Sequence, residues 1–481
     1  MERLTNADNT AAYPDNMAPP ISADVPAAPA RASVPASIIT VVSKQTVRPE
    51  RASPIGDLKL SFSDMLMLSC SYIQKGLFFR LTGTPMAGLV SSLVSSLSLA
   101  LGVFPPLAGR LVTLPDGRIV IRCNDDGAAV DFFHAVAPAL SLADFLVSDA
   151  DVPTMLIKDL FPMAGAVSYE GHHRPLSSFQ VTELGDGAFF LSVVVNHAVV
   201  DGTSFWHFFN TWAGLCRGDP IPVQPPDFGR RFFGGSTAVL RFSERDGPAV
   251  TLHAPPLLRE RVVHFSAAAI RDLKAAANGC GKTNKDSMVN GEISSFQSIC
   301  AHMWLAVTRA RQQLAADATT TFRMAVNCRH RLRPTISPVY FGNAIQIVAT
   351  TATVAELVAS DLRWAAARLH ATVVAHHDGA IRQAAADWDA APWCFPRGNP
   401  DGAALIMVSS PRFPMYDGTD FGWGRAVAVR SGCDSKIDGM LSALPGQAGD
   451  GSVDVEVCLA PDTMARLLGD NEFLRYVSHA P

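Results

Sequence analysis

One imidazole, followed four residues later by a carboxylate and then a glycine, makes His197, Asp201 and Gly202 the constellation in this chain best suited to chemistry. A histidine with an ordinary pKa near 6.5 accepts a proton at neutral pH, so His197 is the candidate general base. The same spacing arises when a core histidine precedes a helix-capping aspartate, and the surroundings must choose between the two. Phe189 to Val195 is a short, continuous apolar run rich in β-branched residues, the pattern of a strand with no wet face. From Ser204 onward Phe205, Phe208, Phe209, Trp212 and Leu215 recur at helical spacing, with Thr203 or Ser204 available to cap the first turn. His197 therefore sits where a buried strand ends and a helix begins. From there a packed core can present one ring nitrogen to a cleft.

The remaining chain must supply that core. Its 481 residues, 48% of them hydrophobic, suffice for two domains. A net charge of −4 and no basic cluster with interleaved aromatics set nucleic-acid binding aside. Nine cysteines without CxxC or finger spacing read as small buried hydrophobes in a reducing compartment, and a cytoplasmic location is expected. No apolar run reaches the roughly 18 residues of a membrane span, and no signal-peptide pattern opens the chain. The pairs His172-His173 and His376-His377 lack a third ligand at helical or finger spacing, so they read as loop histidines and no metal is expected. There is neither a GxGxxG turn nor a GxSxG elbow, which argues against a dinucleotide fold and a covalent serine route.

In order, residues 1–37 are rich in Ala, Pro, Asn and Asp and predict a disordered extension. A strand over Ile38–Lys44 and a piece over Leu58–Cys70, with Ser63-Asp64 as turn or cap, open the fold. Leu89, Leu93, Leu97 and Leu101 predict a helix; Ile119–Arg122 and Ala129–Phe133 predict strands flanking the one before His197. Residues 219–256 are Pro/Gly-rich and weakly periodic, a crossover between a first domain, 38–218, and a second, 257–481. The second opens with a strand, Arg261–Phe265, and a helix, Ser266–Ala277. A polar stretch, Asn278–Glu292, is a mobile loop candidate. A helix follows through Ile293, Phe296, Cys300, Met303, Trp304 and Val307, then an Ala-rich helix over Ala355–Ala375 and strands over Ala404–Val408 and Ala426–Arg430. Val453, Val455, Val457 and Leu459 alternate with polar residues, predicting a strand with one wet face, and Asp462 caps a closing helix through Leu468 and Phe473.

Several further segments occur in a telling order. Phe104-Pro105-Pro106-Leu107-Ala108-Gly109-Arg110-Leu111 precedes His197; Asn327-Cys328-Arg329-His330-Arg331, Tyr340-Phe341-Gly342-Asn343 and Asp420-Phe421-Gly422-Trp423-Gly424 follow it. Together with HxxxDG these resemble the FxPLAGRL turn, the paired-arginine segment, YFGN and DFGWG of the plant BAHD acyltransferases, from about Ser37 to the C-terminus. Gln74-Lys75-Gly76 and Ser204–Asn210 look like a less characterised branch, distinct from the anthocyanin malonyl-transferring one.

The resemblance implies a mixed α/β fold of two similar-sized chloramphenicol-acetyltransferase-like domains, mixed sheets flanked by helices, joined by a long crossover. It implies transfer of an acyl group, hydroxycinnamoyl, benzoyl or acetyl, from coenzyme A to the hydroxyl or amine of a plant metabolite by a monomer. Acyl-CoA is then a co-substrate, no cofactor is permanently bound, and neither membrane nor nucleic acid takes part. His197 is implied as base, without an acyl-enzyme. Asp201 would point away from substrate and pair with Arg329, and Gly202 would let backbone approach the thioester. Asp420, Gly422 and Trp423 would support the architecture and the coenzyme channel. The tryptophan that many hydroxycinnamoyl-transferring members carry before Arg-x-Pro is absent from Val408-Ser409-Ser410-Pro411-Arg412-Phe413-Pro414, which leaves oxyanion donor and acceptor class open. Non-catalytic relatives acting as binding partners, and lyases in the same cleft, are the alternatives; both are expected to show an eroded motif, and here it is intact. Residues 1–34 offer too little apolar surface to offset the roughly 1–2 kcal/mol of backbone entropy each would lose on ordering. Deleting them is expected to change neither turnover nor melting temperature, which activity assays and calorimetry on the truncated protein check.

Overall fold

The strand that leads to His197 is covered on both faces, and the fold is arranged around that covering. The computed structural model describes residues 38–81, 83, 85–124, 127–147, 150–222, 224–230, 238–240, 242, 257–279, 291–396, 399 and 402–478. Its strands are β1 (Thr40–Val47), β2 (Asp57–Lys59), β3 (Ile73–Arg80), β4 (Arg110–Thr113), β5 (Ile119–Arg122), β6 (Val130–Ala137), β7 (Ser177–Leu184), β8 (Ala188–Val195), β9 (Arg259–Phe265), β10 (Thr319–Asn327), β11 (Ile345–Thr353), β12 (Ala404–Met407), β13 (Ala428–Ser431), β14 (Met440–Pro445) and β15 (Val453–Leu459). One six-stranded sheet runs β1-β6-β7-β8-β3-β13, a second runs β11-β10-β12-β14-β15-β9, and β2-β5-β4 form a small third. Both large sheets are mixed, with parallel pairs β6/β7 in one and β10/β12 and β12/β14 in the other. This is the expected mixed α/β architecture.

From Ile38 on, the chain forms one compact unit, and the first sheet draws strands from both sides of the 219–256 crossover. β13, from the second half, pairs antiparallel with β3 and completes the first sheet. The expected extension, 1–37, lies outside the described residues, as do parts of the 219–256 crossover and residues 280–290 of the polar stretch.

Phe189, Leu191, Val193 and Val195 of β8 enter a core shared with two helices, Met86–Val103 and Gly202–Arg217, while Phe190 and Val194 enter another with Phe78, Phe145 and Phe161. The neighbours of β8 are β7 and β3, not the Ile119 and Ala129 strands. β7 escapes a hydropathy reading because it carries Ser177, Ser178, Gln180 and Thr182, all buried. The Ser177 Oγ donates to the Leu107 carbonyl at 3.0 Å and the Ser192 Oγ of β8 to the Leu160 carbonyl at 2.8 Å, so polarity is absorbed locally.

The Met86–Val103 helix is, contrary to the sequence reading, long and apolar enough to cross a membrane by length and composition. Its Leu89, Leu93, Leu97 and Leu101 are fully buried in the first core, where such side chains contribute about 1.5–3 kcal/mol each. The Trp212 indole N–H fixes its partner helix by donating to the Ser96 Oγ at 3.1 Å.

Three local expectations also change. The Ala-rich stretch is two helices, Val354–Val358 and Leu362–Ala375, because Asp361 caps a new start. Pro461 opens the Pro461–Leu467 helix, and the aspartate that caps is Asp470, on the next one, Asn471–Leu474. The polar side of β15 is only partly wet: Asp454 keeps partial exposure, while Glu456 is 1% exposed, held by Ser431 of the first sheet and by Lys436.

Burial likewise governs His302, on the Ser295–Ala310 helix, where the ring stacks on Phe473 and Nε2 donates to the Phe473 carbonyl at 3.1 Å. Desolvation pushes its pKa down to about 4. Unfolded, the ring takes up a proton below about 6.5, so stability is full above that pH and is lost as pH falls toward 4. The loss amounts to about 3 kcal/mol. Melting curves between those limits are expected to show this slope in the native protein and a flatter one in His302→Phe.

Candidate active site

The loop carrying His197 is pinned at every turn. The β8 strand ends at Val195; the Asn196 N–H donates to the Leu176 carbonyl at 2.8 Å, and its Oδ1 accepts from the Ala198 N–H at 2.9 Å. The His197 N–H donates to Ser168 Oγ at 3.1 Å, and its carbonyl accepts from Asn343 Nδ2 at 2.8 Å. The residue keeps partial exposure while Nδ1 is buried without a hydrogen-bond partner among the described residues. Burial holds the imidazole pKa below its ordinary value; the carbonyls of His197 and Val200, the Asp201 charge and the Asn343 side chain oppose that shift without reversing it. The ring is thus neutral at pH 7, as a base requires.

Asp201 is fully buried and spends every lone pair away from the imidazole. Its Oδ1 accepts from the Ser204 N–H at 2.9 Å, making Asp201 itself, rather than Thr203 or Ser204, the cap of the Gly202–Arg217 helix. Arg329 grips it in a fork, Nη1 to Oδ2 at 2.6 Å and Nη2 to Oδ1 at 3.0 Å, and the Ala344 N–H donates to Oδ2 at 3.0 Å. Burial pushes this carboxyl up, but the Arg329 charge and hydrogen bonds hold it below its ordinary value. The expected pairing of Asp201 with Arg329 is present, across 128 positions of sequence.

Gly202 has a neighbour the sequence did not disclose. A Cβ there would lie 2.6 Å from the Phe413 ring, so the open backbone expected to admit a thioester is faced by an aromatic side chain. Asn210 Nδ2 donates to the Pro414 carbonyl at 3.3 Å, and Arg217 bonds the Asp420 carbonyl. Residues 413–422 therefore run alongside the helix from its His197 end to its far end. The Asp420 carboxylate accepts from the Gly422 and Gly424 N–H groups at 2.8 and 3.0 Å, and Trp423 stacks on Phe421 and packs edge-on against Phe79 and Phe189. Fifteen residue steps at 1.5 Å put this turn roughly 20 Å along the helix from its His197 end, where the contacts of Asp420, Gly422 and Trp423 are with backbone amides, Arg217 and packed rings.

Sequence reasoning missed the outer frame. Asp64, wholly buried, caps its own short helix with Ser61, pairs with Arg230 at 3.2 Å and accepts from both the backbone and side chain of Asn343. Gly342 sits at φ +151°, where a Cβ would strike the Arg230 guanidinium at 2.8 Å. Tyr340-Phe341-Gly342-Asn343 was visible as a motif, but nothing local signals that Asp64 and Arg230 meet it. The histidine pairs have structural places: His172 is held between the Tyr169 carbonyl and Thr113, and His376 lies 4.0 Å from the Cys328 sulfur.

A family model described as "Transferase family" matches residues 37–474. The chain is 34% identical to an uncharacterized acetyltransferase of Arabidopsis thaliana over 91% of its length and 98% of the relative's, and 31% identical to the Arabidopsis BAHD acyltransferase DCR over 91% and 92%. It belongs to the BAHD acyltransferase family. Among solved structures, F. sporotrichioides TRI101, complexed with coenzyme A and T-2, superposes with a TM-score of 0.71 at 18% identity, covering 88% of this chain and all of that one. The fold of this BAHD protein is the one those enzymes share.

Removing one partner of a buried ion pair strands the other charge, at roughly 3–5 kcal/mol. Asp201→Asn is therefore expected to lower the melting temperature and turnover together. Unchanged melting with abolished turnover would instead place the carboxylate in the chemistry.

Proposed function

We propose that this BAHD protein transfers an acyl group, hydroxycinnamoyl, benzoyl or acetyl, from coenzyme A to the hydroxyl or amine of a small acceptor, with His197 as general base. The observation that carries this reading is a neutral imidazole whose neighbouring carboxylate is wholly consumed by Arg329 and backbone amides, leaving the ring to act alone. Its free nitrogen removes the acceptor proton as the oxygen or nitrogen attacks the thioester carbonyl. The tetrahedral adduct collapses with rupture of the carbon–sulfur bond, and the departing thiolate takes the proton back from the imidazolium. No acyl-enzyme forms, so donor and acceptor occupy the cleft together. Coenzyme A bound to a protein of the same fold supports acyl-CoA as the co-substrate. We read 38–218 and 257–481 as the two acyltransferase halves of a cytoplasmic monomer.

General-base catalysis is worth on the order of 10²–10⁴ in rate. His197→Ala, folded by its circular dichroism, is expected to lose turnover by that factor when thiol release is followed with a panel of acyl-CoA donors and acceptors. Retention of more than about a tenth of native activity sinks the base assignment.

A further inference from the structure

The motif residue Asn343 has a hydrogen-bonding inventory that closes in one way. Its side chain is fully buried. Both amide hydrogens are taken, one by Asp64 Oδ1 at 2.9 Å and one by the His197 carbonyl at 2.8 Å. Those two acceptors fix the orientation of the amide, because Oδ1 in their place would face a carboxylate and a carbonyl. Asn343 Oδ1 is thereby turned elsewhere, and it is buried without a partner. His197 Nδ1 is also buried without a partner. One orphan can only accept; the other donates if it carries the ring proton. They belong to two residues already joined by a 2.8 Å hydrogen bond.

We propose that Asn343 is a positioning residue that sets the tautomer of His197: Oδ1 accepts from Nδ1–H, which leaves the lone pair on Nε2 to face the acceptor. This rests on the reading of His197 as the base. A neutral imidazole holds one hydrogen, and only the nitrogen without it can take a proton from substrate. In an unliganded site such a bond is long or poorly aligned and tightens when the cleft fills. The charges around the pair are balanced, Asp64 by Arg230 and Asp201 by Arg329, and the polar groups that bear on the ring are this amide and the carbonyls of His197 and Val200. Asp64 orients Asn343 and Asn343 orients His197; Asp64 touches nothing that reacts.

Nitrogen NMR of the full-length protein labelled with ¹⁵N-histidine, with the His197 signals assigned by their loss in His197→Gln, reads the tautomer without any substrate. The native protein at neutral pH is expected to show a neutral His197 protonated on Nδ1, and Asn343→Ala a mixture of both tautomers. Protonation on Nε2 in the native protein overturns the proposal. With the best donor and acceptor pair from thiol release, Asn343→Ala is expected to lower kcat on the order of 10–100-fold, the usual worth of an outer partner that orients a working histidine, with KM little changed. A folded Asn343→Ala enzyme within about twofold of native kcat overturns it. Should that variant fail to fold, Asp64→Asn combined with Asn343→Asp keeps an oxygen toward the ring and now charges it. The acid limb of its kcat profile is expected to rise by about one pH unit or more, and an unmoved limb overturns the proposal. If His197→Gln retains activity, the base reading fails while the tautomer result stands by itself.

Discussion

Everything near His197 depends on one buried ion pair. Asp201 and Arg329 are both within 1% of complete burial, and two charges withdrawn from water in this way repay their desolvation only through near-ideal geometry and full hydrogen bonding. Both conditions are met by the forked contact and by Ser204 and Ala344, which use the remaining carboxylate capacity. Arg329 then reaches further, to the carbonyls of Tyr340 at 3.2 Å and Gly342 at 3.1 Å. Those carbonyls shape the turn that delivers Asn343 to the His197 loop. The pair thus bears on the His197 loop through backbone geometry, with the lone pairs of the only carboxylate in the motif already bonded.

Two other ties hold the halves of the molecule around that pair. One is the segment 413–424, which lies along the Gly202–Arg217 helix and docks the Asp420 turn on its far end. The other is a buried charge cluster between the large sheets. Lys75 of β3 donates to Ser431 of β13 at 2.5 Å, Ser431 bonds Glu456 of β15, and Lys436 bridges Glu456 and Glu260 of β9 at 3.4 and 2.7 Å. Two lysines face two glutamates, and burial pushes the Lys75 ammonium down in pKa and the Glu260 carboxyl up. The branch-like Gln74-Lys75-Gly76 thereby acquires a physical meaning. Gln74 Nε2 donates to Asp434 at 2.7 Å, Lys75 donates to the Ser431 that bonds Glu456 of the other sheet, and Gly76 leaves room for the Phe190 ring.

Local patterning sufficed for whatever a few adjacent residues decide. The run Phe189–Val195 needed no partner to read as a doubly buried strand, and the aromatic spacing after Ser204 needed none to read as a helix. His197 was legible as a candidate base because it stands at their junction, and the pairing of Asp201 with Arg329 because both fall within segments whose order resembles a family. What local patterning could not disclose are contacts between residues far apart in the chain whose own neighbourhoods are ordinary. Asp64 looked like one more cap, Arg230 like a residue of a linker and Gly202 like an opening for substrate, and β7 gave no hydropathy signal. Only folding brings Asp64 to Asn343, Arg230 to Gly342 and Phe413 to Gly202, and moves a strand from the second half into the first sheet. Hydrogen bonds and close packing at those points act over a few ångströms in space and carry no signature along the sequence, so tertiary structure alone decided them.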